Sequence, residues 1–140
     1  MSKAKLPGFL GDLDEKTRES VFQEMRNITD DATRKAEKHR KTQPKFGEVL
    51  IGSSDMDSFF ESEMGFEFVS NLNKGESPES ARDKAIAYGR EMVSKWNDTG
   101  KKSRMAVSSK SELDRAEKSL DEVAWRNYRR VIRAIEKYES

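Results

Sequence analysis

The sequence predicts an all-α fold: an irregular four-helix bundle with long connections and an extended N-terminal arm. Three observations predict it. Residues 109–138 carry apolar side chains at helical spacing along their whole length, with no Gly or Pro among them. Segments 13–42, 55–73 and 77–97 carry apolar residues at helix-compatible spacing, each beginning at a residue that favours a helix start. The one run with strand character, Val49-Leu50-Ile51, has no partner run elsewhere and reads as a buried extended connector.

Residues 1–12 form the expected arm. Pro7, Gly8 and Gly11 oppose a helix, while Leu6, Phe9 and Leu10 give the segment an apolar side. Phe9 and Leu10 either pack on the chain's own domain or dock on a neighbouring protein. The first long helix, 13–42, takes Asp12 or Asp14 as its N-cap. Leu13, Val21, Phe22, Met25, Ile28, Ala32 and Ala36 follow its 3–4 spacing, and Thr29-Asp30-Asp31 is a place for an interruption. Its end is basic: Arg34, Lys35, Lys38, His39, Arg40, Lys41 and Lys45 stand against a single Glu37. These bases either complement the helix C-terminus or contact phosphates, with Arg34, Lys38 and Lys41 on a shared face. Gln43-Pro44 closes the helix.

The second helix, 55–73, holds four of the seven phenylalanines, Phe59, Phe60, Phe66 and Phe68, and is the expected centre of the core. Gly65 is a candidate bend. Between Gly47 and Phe68 there are six acids and no base, an acidic block that faces the basic segments of this chain or of a partner. The third helix, 77–97, opens with Ser77 as N-cap and Pro78 in the first turn. Gly89 inside it costs about 1 kcal/mol relative to Ala and marks a tight helix crossing. Asn97-Asp98-Thr99-Gly100 is the expected end. Residues 99–110 form a basic connector with Lys101, Lys102 and Arg104, either a flexible linker or a segment lying along an anionic partner.

The last helix, 109–139, starts at a capping box of Ser109 with Glu112, or at Ser111 with Asp114. At about 100° per residue, Leu113, Ala116, Leu120, Val123, Ala124, Val131, Ile135 and Tyr138 fall on one stripe. Acids fill the first half and bases the second, the order that suits the helix dipole. Arg126, Arg130, Arg133 and Lys137 project nearly opposite the stripe, with Arg129 beside them, and Trp125 and Ile132 occupy an uncovered flank. The expected core is Phe22, Met25, Ile28, Phe59, Phe60, Phe68, Leu72, Ile86, Val93, Leu120, Val131 and Ile135.

Composition narrows the function. The chain has 140 residues, one domain's worth, with 34% hydrophobic and 38% charged residues, a thin core for its length. The net charge of +1 excludes a global field toward nucleic acid or membrane. Absence of cysteine excludes disulfides and thiolate metal sites. No apolar run approaches the roughly 20 residues of a membrane span, and residues 1–16 lack the apolar core of a secretory signal, so a cytoplasmic location is expected. His39 is the sole histidine and lies in a polar, basic stretch. There is no nucleophile elbow and no phosphate-binding glycine loop. Asp55 with Asp57 and Glu61 with Glu63 are spaced for oxygen ligands, yet acids at a helix start already have a structural role. No cofactor, metal site or catalytic residue is expected.

What remains is contact. The expectation is a non-enzymatic structural, assembly or protein-interaction protein working inside a larger complex. Its contact residues would be Trp125, Arg126, Arg129, Arg130, Ile132, Arg133, Lys137, Phe9 and Leu10. Segregated charge and thin cores also characterise small accessory proteins of bacteriophages, virion components among them. The alternative is a sequence-independent binder of the nucleic-acid backbone, using Arg34, Lys38, Lys41, Lys101, Lys102 and Arg104.

Overall fold

A computed structural model describes residue 6 and residues 8–42, 54–100 and 110–138, with the ends at 39–42, 54–56, 95–100 and 110–112 described by their backbone. Within them the chain is all-α: α1 (Gly8–Asp12), α2 (Glu15–Thr42), α3 (Ser54–Asn73), α4 (Pro78–Gly100) and α5 (Lys110–Glu136). The run Val49-Leu50-Ile51, the Ser109 capping position and the connector bases Lys101, Lys102 and Arg104 lie outside the described residues.

The four long helices form a ring in chain order, with α3 and α5 also touching across the diagonal. Phe60, Met64, Phe68 and Leu72 recur every fourth residue on α3 and are fully enclosed. They meet Val21, Met25 and Ile28 of α2, Ala81, Ala85 and Val93 of α4, and Ala116, Leu120, Val123, Ala124 and Val131 of α5 in one cluster. Phe22, Phe59, Ile86 and Ile135, expected inside, are half-buried around its edge. Small residues set the close approaches. A Cβ on Gly89 would stand 3.1 Å from Met64 Sδ and 3.3 Å from Leu120 Cβ, so α4 crosses α3 and α5 at this point. α3 runs through Gly65 without a break, and at that point the helix lies against Ala32 of α2.

Sequence signals at the helix starts account for two of them. Asp14 Oδ1 accepts from the Thr17 N–H at 2.8 Å, and Ser77 Oγ accepts from the Ser80 N–H at 3.1 Å. Leu13, expected in the first long helix, lies before this cap. The Thr29-Asp30-Asp31 segment does not interrupt α2, because the Thr29 and Thr33 hydroxyls donate to the Met25 and Thr29 carbonyls without displacing the helix. Asn97, Asp98, Thr99 and Gly100 continue α4 rather than end it, since the first three carry only a modest helix penalty.

The N-terminal segment departs from the extended arm in its described part. Residues 8–12 form the short helix α1. It is held from outside, which is how a helix of this length persists. The Phe9 N–H donates to the Gly75 carbonyl at 3.1 Å, and Arg18 donates Nε to the Leu10 carbonyl at 2.9 Å and Nη2 to the Leu13 carbonyl at 2.7 Å. Gly75, at φ 95°, ends α3 with the paired bonds Glu76 N–H to Asn71 carbonyl and Gly75 N–H to Leu72 carbonyl.

Candidate functional site

The candidate site is an open groove between the first half of α2 and the end of α5, with a volume of about 1160 Å³. Lys16, Arg26, Arg130, Arg133 and Lys137 bring five cations to it, against Glu19 and Glu24, and Phe22, Ala134 and Tyr138 supply apolar surface. At this end of α5 its basic edge, with Arg130, Arg133 and Lys137, lines the groove opposite α2. Tyr138, expected on the stripe, is 47% exposed, with Lys137 Nζ 5.4 Å from its ring centre.

Charges in and around the groove divide into used and unused. Arg130 is spent on the chain itself: Nε donates to Glu24 Oε1 at 2.5 Å and Nη1 to Asp31 Oδ2 at 2.9 Å, with its side chain 24% exposed. Arg126 donates to Glu61 Oε1 at 3.0 Å, and Lys35 reaches Glu61 Oε2 at 3.2 Å. The acidic block on α3 therefore faces bases of its own chain at Glu61. Among its other described members, Asp57 accepts from Ser119, Glu63 from the Tyr88 hydroxyl and Glu67 from the Asn71 amide. Lys16, Arg26, Arg133 and Lys137 make no ion pair with a described carboxylate; Arg26 donates to the Gln23 amide oxygen at 2.8 Å.

The residues expected to form one contact surface are thus dispersed. Arg133 and Lys137 line the groove with Arg130. Arg129 is exposed beside it. Trp125 and Ile132 turn toward α4, where Arg82 lies 4.3 Å from the Trp125 ring centre and 4.7 Å from that of Tyr128. Trp125, 37% exposed, also stacks edge-on with Tyr128 at 5.5 Å, so its flank is half covered by this chain. Leu10 is 1% exposed and part of the core, because α1 folds onto α3. Phe9 packs against the same core and is half-buried. Among the expected phosphate contacts, Arg34 pairs with Asp31 and Lys38 is exposed; Lys41, Lys101, Lys102 and Arg104 lie outside the described side chains.

Two carboxylates have shifted titration. Asp14 is held below the ordinary range by the Thr17 hydroxyl and amide, and Glu76 by hydrogen bonds from Lys84 and Ser80. Two phenols are pushed up: Tyr88 by burial and then by Glu63, Tyr128 by burial and then by its hydrogen bond to Glu79. Among the described residues no group of three or more His, Cys, Asp or Glu side chains is placed to hold a metal ion. No helix there is long and apolar enough to cross a membrane.

Sequence reasoning did not single out Lys16, Arg26, Arg82 or Asn127. Asn127 had a signal: it interrupts the α5 stripe between Val123 and Val131, and it is 6% exposed. The others depend on which helices become neighbours. Comparison with protein-family models, with curated proteins and with solved structures finds no match to this chain.

Proposed function

We propose that the chain is a non-enzymatic protein-interaction module that receives an acidic, partly apolar segment of a partner protein in the groove between α2 and α5. The observation that carries this reading is the mismatch of charge in the groove: Lys16, Arg26, Arg133 and Lys137 have no carboxylate partner among the described residues, and Glu19 alone of the lining acids is left to oppose them. An acidic segment would supply the missing partners, while Phe22 and Tyr138 would bury its apolar side. The lowered titration of Asp14 and Glu76 fits stabilised anions with structural roles rather than general acids, which need raised values. Such a module belongs within a larger complex, and an assembled particle such as a virion is one setting that its composition suits.

A second reading rests on Arg129 and Arg133, exposed guanidiniums one turn apart with no described carboxylate partner. A nucleic-acid backbone would engage such a pair without reading sequence.

One binding experiment separates them. A labelled acidic amphipathic peptide and a labelled DNA duplex are titrated with the protein by fluorescence anisotropy at low and moderate salt. The groove predicts peptide binding that falls at least about tenfold when Arg133 and Lys137 are both changed to Glu, a loss of roughly 1.4 kcal/mol or more. Arg129→Glu, outside the groove, leaves peptide affinity within about threefold. DNA binding with steep salt dependence and no peptide binding would move the assignment to the second reading. Binding of neither at low salt sinks both.

A further inference from the structure

Beside the groove, where α2, α3 and α5 meet, lies a smaller cavity of about 150 Å³. Its wall carries four cations, Arg34, Lys35, Arg126 and Arg130, and two carboxylates, Asp31 and Glu61. With Glu24 also counted against Arg130, the cations still exceed the acids by one. The ion pairs do not exhaust the donors. Arg126 gives only Nη1 to Glu61, and Arg130 gives Nε and Nη1 to Glu24 and Asp31, which leaves Nη2 of each guanidinium without a carboxylate. Lys35 gives one contact to Glu61 and retains further N–H donors.

Asn127 lines the same cavity. It is 6% exposed, and its amide makes no hydrogen bond with any described residue. No fully enclosed side-chain nitrogen or oxygen lacks a partner among the described residues, so the polar atoms of Asn127 reach solvent-accessible space in a residue that lines the cavity. An amide in that position takes its hydrogen bonds from whatever occupies the cavity, water or a bound group. The cavity is larger than the roughly 30 Å³ that one water occupies in the liquid. It is well below the roughly 300–1,000 Å³ of pockets for larger organic ligands. An excess of positive charge excludes a cation as the natural occupant, and partial burial strengthens charge-assisted hydrogen bonds to an anion.

We propose that this cavity binds one free tetrahedral oxyanion, phosphate or sulfate, held by Arg126, Arg130 and Lys35 and oriented by the Asn127 amide. Asp31 and Glu61 fix the arginines in place and limit the affinity. The anion would join α2, α3 and α5 at a single point, taking the place of water on the Asn127 amide.

Isothermal titration calorimetry of the full chain with inorganic phosphate, at ionic strength held constant with chloride, tests it. The wild type should show saturable one-to-one binding. Asn127→Asp keeps the size of the side chain and adds a negative charge at the cavity, so phosphate should bind at least about tenfold more weakly. Lys16→Gln, in the groove, should leave phosphate affinity unchanged, and circular dichroism verifies that each variant is folded. Phosphoserine, too large to be enclosed, should bind at least about tenfold more weakly than phosphate. No saturable heat above the chloride background would mean that water alone fills the cavity. Equal phosphate affinity in Asn127→Asp, or equal affinity for phosphoserine, would place the anion on the exposed arginines instead. Any of these three results overturns the proposal.

Discussion

Arg126, Arg129 and Arg130, all within one stretch of α5, show how neighbours decide what a side chain does. Arg130 is 24% exposed and bridges two carboxylates of α2; Arg126 is 49% exposed and has Glu61; Arg129 has no described partner. Exposed pairs contribute about 0–1 kcal/mol, whereas breaking a buried pair costs about 3–5. Arg130→Ala should therefore lower unfolding free energy by about 1–2 kcal/mol, since it is partly buried and its loss leaves Glu24 without an ion pair and Asp31 with Arg34 alone. Arg126→Ala should cost under about 1 kcal/mol and Arg129→Ala close to nothing. Urea denaturation of the three variants checks the order, and equal costs at 129 and 130 would contradict the pairing. The helical period of α5 showed these side chains to be away from its apolar stripe. It could not show that Glu24 and Asp31, about a hundred residues earlier in the chain, stand opposite one of them.

Among the elements, α3 and α4 meet at a contact that their sequences partly announce. Gly89 within a helix is a poor choice for propensity, so close packing is the expected reason for it. The neighbours at 3.1 Å and 3.3 Å are Met64 Sδ and Leu120 Cβ. Gly89→Ala gains about 1 kcal/mol of helix propensity and loses a comparable amount by displacing the flexible Met64 thioether, so the net change should stay within about 1 kcal/mol. Gly89→Val has no such room and should destabilise by about 1–3 kcal/mol. Thermal unfolding measures both, and a neutral valine would show that α4 does not approach so closely. The element that sequence misread is α1. Pro7, Gly8 and Gly11 disfavour a helix locally, and no local signal reveals Arg18 and Gly75, which hold residues 8–12 in that form.

At the scale of the whole molecule, 27 bases and 26 acids make stability depend on where the charges meet. Carboxylates that the fold keeps ionised hold their charge to lower pH than an ordinary carboxylate, and protonating them costs stability. Asp14 and Glu76 have folded values below their unfolded ones, so their contribution is complete above about pH 4.5 and is lost as pH falls through the depressed folded values. Asp14→Asn keeps an N-cap for α2 without the titration, so its loss of melting temperature between about pH 5 and pH 2 should be shallower than that of the wild type. Identical slopes would remove Asp14 from the account. The sequence by itself determined the all-α class, the aromatic α3 as centre of the core and two of the helix starts, because period and capping are local properties. The division of the basic face of α5 was decided only by the tertiary structure. Arg126 and Arg130 are neutralised by acids of α3 and α2, while Arg133 and Lys137 are left facing a groove. The physical reason is that charge pairing depends on which helices become neighbours, and helical periodicity specifies a face without specifying what lies across from it.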